Sequence, residues 1–312
     1  MSFSKAITGM DRSGSFRIYM GITTSAVQQA HMLHGTSPLA THLLGRALTG
    51  TGLFGLMLRE PGFKVTLQFK GDGPAEQVLC TADSAGNVKG YVANPQADLP
   101  PKEDGSPDVG GALGTGILTC IRDTGTAEPY VGKVDLVSGE IAEDLTYYFL
   151  ASEQQNTLVS LGVKLDENGG AAGAGGMIIQ VLPDALDEAI DALEAWLPLI
   201  PSLSVLAAEM PSDATEDEIP EIMREFMRRA FSGMPEEYAV DPLDILPLDW
   251  NCDCSEERLE EVLISLGSKE ISAIIEEDGE AEVTCQFCGK SYHFDKPHLE
   301  ALRMKCITRK MN

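Results

Sequence analysis

Phe63-Lys64-Val65-Thr66-Leu67-Gln68-Phe69-Lys70 alternates apolar and polar side chains, and Gly71-Asp72-Gly73-Pro74 then breaks the pattern with a turn. Period-two alternation is what a strand shows when one face meets a core and the other meets water. The signal returns at 77–82 and 87–93, on either side of a turn at Asp83 to Gly86, and strands joined by tight turns pair antiparallel. Upstream, 16–22 reads as another strand, and a helix carrying Val27, Ala30 and His31 starts at Thr24. Ser37-Pro38 then supplies a cap and a first-turn proline to a second helix. In it Leu39, Leu43, Ala47 and Phe54 recur at near-helical spacing, which predicts a buried helix.

Downstream, 94–111 is rich in Pro, Gly and Asp and reads as a loop, with strands at 116–122 and 130–137 after it. Ser138 is placed to cap a helix whose stripe Ile141, Leu145, Tyr148 and Phe149 packs onto the sheet. Strands at 158–165 and 177–182 flank the glycine-rich run 169–176. That run lacks GKS or GKT and does not open a helix with GxGxxG, so it reads as a tight turn and not as a phosphate cradle. Helices follow at 183–197 and 215–231. The second has the seam Ile219, Ile222, Met223, Phe226 and Met227, by default core packing, with Arg224, Arg228 and Arg229 outside it. There is no internal repeat. Strands with interspersed helices and then a helical section predict an α+β fold: an N-terminal mixed sheet-and-helix domain, a helical linker region and a small C-terminal module.

At 312 residues the chain is long enough for an ordinary domain plus a smaller module. Its 43% hydrophobic residues support a real core. Basic residues number 23 against 48 acidic ones, a net charge of −25, and such a surface repels nucleic acid and anionic lipid unless a basic patch is hidden locally. The start, Met1-Ser2-Phe3-Ser4-Lys5, lacks the apolar core of a secretory signal, so a cytoplasmic location is expected. The apolar stretch 47–58 is broken by Gly50, Gly52 and Gly55 and falls short of the roughly 20 residues of a membrane span.

The boundaries expected are a body at 1–231, a metastable linker at 232–250 and a module at 251–312. The linker holds three prolines in 232–247, which deny it stable regular structure, yet enough apolar side chains to dock. The module begins with Cys252-Asp253-Cys254 and, after 30 intervening residues, has Cys285-Gln286-Phe287-Cys288. Between them Ser255 caps a helix with Leu259, Val262, Leu263 and Leu266 on one face; a short helix follows near 269–276, and Asp278-Gly279 turns into a hairpin of 282–284 and 291–294. Two short clips of thiolates make the all-sulfur tetrahedron that structural Zn²⁺ prefers, so Cys252, Cys254, Cys285 and Cys288 are the expected ligands of one zinc per chain. Thiolates are also what oxidants attack first, so metal site and redox switch can be one object. His293 and His298 are alternative ligands by chemistry but read as surface residues. Cys80, Cys120 and Cys306 stand alone and read as inert thiols.

The chain resembles the redox-regulated 33 kDa chaperones, the heat shock protein 33 family. The resemblance rests on Trp250-Asn251-Cys252-Asp253-Cys254-Ser255-Glu256-Glu257-Arg258, Cys285-Gln286-Phe287-Cys288 and Tyr292-His293-Phe294. The body adds Gly71-Asp72-Gly73-Pro74, Gly90-Tyr91-Val92, the run from Leu136 to Asp144 and Gly173-Ala174-Gly175-Gly176. Trp250 stands where the family usually has Phe, Lys89 where Arg is common, and Cys306 is an extra thiol. The resemblance implies a non-enzymatic holdase, active without ATP under oxidative stress and inactive while zinc is held. It further implies that oxidation pairs Cys252 with Cys254 and Cys285 with Cys288, that zinc leaves, that module and linker unfold, and that the oxidised protein forms a homodimer and binds unfolding client proteins. The client surface is hypothesised to include Ile222, Phe226 and Met227, uncovered when the linker leaves.

Two other classes compete. A thiol-disulfide oxidoreductase would use Cys285 and Cys288, but a catalytic CxxC normally opens a helix, and this one falls in a hairpin. A zinc ribbon for nucleic acid would need a basic footprint, yet 250–312 holds 8 basic and 13 acidic residues.

Overall fold

The computed structural model describes residues 3–211 and 213–311, with side chains described as far as 306; Met1 and Ser2, read above for targeting, lie outside them. The chain divides into two units, Met1–Asn251 and Cys252–Asn312. In chain order the first unit runs β1 (Lys5–Asp11), β2 (Phe16–Ile22), α1 (Thr24–His34), α2 (Pro38–Met57), β3 (Lys64–Gly71), β4 (Gln77–Asp83) and β5 (Asn87–Val92). It continues with α3 (Val109–Leu113), β6 (Gly116–Asp123), β7 (Tyr130–Asp135), α4 (Ala142–Glu153), β8 (Thr157–Leu165) and β9 (Ala171–Val181). The last elements are α5 (Asp187–Trp196), α6 (Leu203–Ala208), α7 (Ile219–Ala230), β10 (Val240–Pro247) and β11 (Asp249–Trp250).

Two sheets carry this unit, ordered β10-β1-β2-β9-β8 and β11-β5-β4-β3-β6-β7, antiparallel throughout except for the parallel β11–β5 pair. The deciding stretch is β3, centred between β4 and β6, with Val65, Leu67 and Phe69 fully buried and Lys70 exposed. The buried helix predicted after Ser37 is α2. Ser37 Oγ accepts the Ala40 N–H at 3.1 Å, and the helix packs on strands of both sheets, which is why nearly all of it is buried. The mixed α+β reading therefore holds.

Several local expectations are corrected. Ser138 does not cap α4; the helix starts at Ala142, and the fully buried Asp144 carboxylate takes backbone N–H groups from Val137, Ser138, Gly139 and Ile141 at 2.8–3.3 Å, folding the preceding loop around itself. The glycine run is mostly strand: the turn occupies 166–170, and β9 already begins at Ala171. Small residues are needed there because a side chain at Gly173 would meet the Ser204 carbonyl at 2.3 Å. α3 interrupts the loop expected at 94–111, and β1 and α6 lacked a recognisable period.

The proline-bearing linker has regular structure. Val240–Pro247 is β10, an edge strand paired only with β1, and the register slips between Ile7 and Gly9. Proline is compatible with an edge strand, where no second ladder needs its missing N–H. Leu248 follows and is completely buried. Its socket exists because two neighbours lack side chains: a Cβ at Gly52 would come within 2.6 Å of Leu248 Cδ1, and one at Gly21 within 3.1 Å of Cδ2. β11 then pairs with Asn87 and Val88, Asn251 N–H reaches Val88 O at 3.0 Å, and Trp250 meets the His34 ring edge-on at 6.2 Å.

The helix α7 shows the predicted seam. Met223, Phe226 and Met227 are buried and Ile222 is half-buried, where the helix packs on α6, β1 and β10. Among the described residues, no helix is long and apolar enough to cross a membrane.

Candidate metal centre

The second unit consists of α8 (Glu256–Leu266), α9 (Ser268–Glu277), β12 (Ala281–Thr284), β13 (Ser291–Phe294) and α10 (Lys296–Met311). Ser255 Oγ accepts the Arg258 N–H at 3.3 Å, the predicted cap. Leu263, Ile264, Ile271, Ile275, Phe294, Leu299 and Leu302 form its core, and Cys306 is buried among them with its thiol directed at the Ile264 carbonyl, 3.5 Å away. The lone thiols of the first unit are likewise buried; burial pushes Cys120 up to about 12 and raises Cys80 further, so neither is a thiolate at neutral pH.

The two clips converge. One ligand atom from each of Cys252, Cys254, Cys285 and Cys288 lies within 4.8 Å of all the others. Cys252 Sγ is 3.7 Å from Cys285 Sγ, and Cys254 Sγ is 3.4 Å from Cys288 Sγ. A tetrahedral site with Zn–S of about 2.3 Å has sulfur–sulfur edges of about 3.8 Å, so the four donors fit that ion. All seven cysteines are free thiols. A disulfide needs sulfurs about 2.05 Å apart, so any pairing requires movement.

Local backbone chemistry aims the sulfurs. At the bend between β12 and β13, the Gly289 N–H bonds the Cys285 carbonyl at 2.8 Å and the Cys285 N–H bonds Lys290 O at 2.9 Å. Gly289 has φ +72, a left-handed conformation that suits glycine, and this closes the loop beneath both sulfurs. Tyr292 on β13 donates its hydroxyl to the Cys254 carbonyl at 3.1 Å and lies 3.3 Å from Cys254 Sγ.

The four thiols are electrostatically unequal. Burial opposes ionisation of Cys254, but hydrogen bonds from Tyr292 and from the other three thiols outweigh it and bring it down to about 7. Cys252 is held well above the usual thiol range, chiefly by burial, and Cys288 is raised for the same first reason. Cys254 thus ionises readily while Cys252 and Cys288 hold their protons, as expected of close acidic groups that cannot all be charged without a cation.

His293 and His298 stay outside this cluster. His298 Nε2 sits 2.8 Å from Glu260 Oε1, whose second oxygen takes Lys305 Nζ at 2.8 Å, and His293 lies 3.5 Å from Glu280. Tyr292 is a partner of the cluster that the sequence does not reveal; an aromatic in a strand seven residues after Cys285 carries no local signal that its hydroxyl turns back to Cys254.

A body of two sheets around a buried helix, followed by a compact four-thiol unit, defines a class: an α+β protein with a C-terminal cysteine clip able to hold a metal. The family description "Hsp33 protein" matches residues 4–295. The chain belongs to the Hsp33 family. It is 42% identical over 293 residues to the 33 kDa chaperonin of Geobacter sulfurreducens, covering 94% of this chain and 92% of that one. To the 33 kDa chaperonin of Alkaliphilus oremlandii it is 39% identical over 307 residues, 98% of each chain. The crystal structure of the 33 kDa chaperonin (heat shock protein 33 homolog) from Thermotoga maritima superposes with a TM-score of 0.80 at 33% identity, covering 99% of this chain and 100% of that one. Its curated relatives are chaperonins by name, so the family is one of chaperones.

Proposed function

We propose that this chain is a redox-regulated holdase of the cytoplasm, active without ATP, in which the thiol cluster is the latch and the body is the client-binding part. The observation that carries the reading is the convergence of four cysteine sulfurs on edges that fit a tetrahedral zinc. Bound there, Zn²⁺ supplies a cross-link that closes the module and favours all four sulfurs as thiolates. The division that follows is a body at 1–231, a linker at 232–250 and a redox module at 251–312.

Oxidation removes the donors in pairs. The thiolate pair Cys285 with Cys288 and the pair Cys252 with Cys254 each give up two electrons to form a disulfide, and for each pair one hydrogen peroxide takes those electrons and two protons from solvent to become two waters. A module with so small a core loses its fold when its cross-link goes. Cys252 follows directly on Trp250 and Asn251, so unfolding reaches β11, then Leu248 in its glycine socket, then β10. Peeling β10 from β1 strips cover from α7: Met227 Cε lies in the same crowded corner as Val240, both within about 3 Å of where a Cβ on Gly9 would stand. Ile222, Phe226 and Met227 are accordingly the proposed client contacts, and the uncovered edge of β1 is the proposed dimer contact, since an unpaired strand edge templates pairing with another chain.

The test measures zinc content and free thiols before and after peroxide at mild heat, with light scattering of a thermally unfolding client in the same samples. Expected are loss of zinc, loss of four thiols and suppression of scattering only after oxidation. Equal suppression by the reduced and oxidised forms would sink the redox reading. Acidic substitutions at Ile222 and Phe226 that leave the oxidised protein fully active would remove the client assignment.

A further inference from the structure

Two adjoining cavities open on the body beside the C-terminal end of α2. The smaller, about 160 Å³, is lined by Arg17, Arg59 and Arg122 and by a single carboxylate, Glu153. The larger, about 430 Å³, shares Arg17, Tyr19 and Arg59 with it and is walled by Leu243 and Leu246 of β10. Three guanidinium groups converging on one hollow are unexpected in a chain of net charge −25.

Their bonding is incomplete. Arg17 on β2 is half-buried and makes no side-chain hydrogen bond or ion pair among the described residues. Arg122 spends Nη1 on Glu153 at 3.0 Å, while its Nε is buried with no partner. Glu153, the single carboxylate of the hollow, already accepts the Tyr148 hydroxyl at 2.7 Å on its other oxygen. Arg59 bonds Tyr19 Oη at 3.1 Å and holds a left-handed backbone, φ +58, just past the end of α2, where glycine is the usual residue. A buried guanidinium donor without an acceptor is costly, and three cations around one carboxylate leave an excess of two positive charges. A phosphate group near neutral pH carries about −1.5 to −2 charges and three acceptor oxygens, the complement of both deficits. Arginine forks suit such oxygens because they can donate two parallel hydrogen bonds.

We propose that the smaller cavity binds a phosphate group through Arg17, Arg59 and Arg122, with the larger cavity giving room for a substituent on it. The smaller cavity is lined wholly by residues of the body, so phosphate binding there does not rest on the thiol cluster, while the larger cavity also takes in Leu243 and Leu246 of the linker.

The test is calorimetric titration of the reduced full-length protein at constant ionic strength with inorganic phosphate and with phenyl phosphate. One saturable site is expected, weakened about tenfold or more in Arg17→Gln and several-fold in Arg59→Gln. Arg59 is exposed, so its substitution leaves the fold intact and stays decisive even where circular dichroism finds Arg17→Gln unfolded. Tighter binding of phenyl phosphate identifies a phosphomonoester as the ligand, and equal binding identifies the free ion. The assignment falls if neither compound gives a saturable signal, if Arg59→Gln binds as the wild type does, or if a folded Arg17→Gln does.

Discussion

The body buries α2 between two sheets, and its core takes in Trp196, Tyr148, Phe16, Phe69, Phe149 and Phe226, each less than 2% exposed. The module has a cluster of nine buried residues among those described, and beside it the four converging sulfurs. A chain of about 250 residues buries enough apolar surface to stand alone, whereas one of about 60 is marginal. The two units therefore differ in what can hold them: packing in the first, and in the second packing together with four thiols able to coordinate a metal. Different susceptibilities follow, because packing responds to heat and denaturant, while thiols also respond to oxidants, protons and chelators.

The widest separation of the two units should come from metal removal. Structural zinc contributes about 10–16 kcal/mol in small modules, comparable with the whole stability of a domain, about 5–15 kcal/mol. Chelation of the reduced, metal-loaded protein is expected to abolish hydrogen-exchange protection across 256–294 and leave β3, β4 and β6 protected. Parallel loss in both units would erase the distinction drawn here.

Leu248→Ala comes next and tests the body's side of the comparison at its weakest seam. Emptying the socket between Gly21 and Gly52 is expected to cost about 2–5 kcal/mol, most of it as local release of 240–250. Exchange should quicken in β10 and β11 and Trp250 fluorescence should shift red, with the module still metal-bound. Should β10 keep its protection, Leu248 is not what fastens this segment.

Acid sharpens the comparison from the packing side. His42 on α2 is depressed to about 4, first by burial and then by the neighbouring Arg46 charge, and its Nδ1 is buried without a hydrogen bond. Below the ordinary value of 6.5 the unfolded chain takes a proton that the folded one refuses. Stability is thus fully present above pH 6.5 and is lost as the pH falls through about 4. After discounting for its partial exposure the loss is about 2 kcal/mol. Denaturation of the body followed from pH 7 to 4 should show this slope, and His42→Gln should flatten it.

The smallest effect belongs to a helix end. Ser255→Ala removes the α8 cap and should cost the module about 1 kcal/mol. Chelator titration should then unfold the variant at a slightly lower chelator concentration, while thermal melting of the body stays unchanged.

How much was legible depends on whether the cause was local. The alternation of β3, the Ser37-Pro38 start of α2, the α7 seam and the two cysteine clips are patterns within a few residues, and each appears where it was read. Ser138 was misread because the competing acceptor, the buried Asp144 carboxylate, announces itself only once the loop has folded over it. The glycine run was misread because glycine marks close approach as well as turns, and only the position of Ser204 decides which.

By itself, then, the sequence determined an α+β body, a four-thiol module and the order in which they follow, since hydrophobic period, caps and ligand spacing are properties of neighbouring residues. Only the tertiary structure decided that the proline-bearing segment is an edge strand on β1, that Leu248 is its anchor, that Tyr292 reaches Cys254, and that three arginines from β2, β6 and the end of α2 meet in one hollow. Those depend on which distant backbones approach closely enough to bond or to exclude a side chain, and no local pattern encodes that distance.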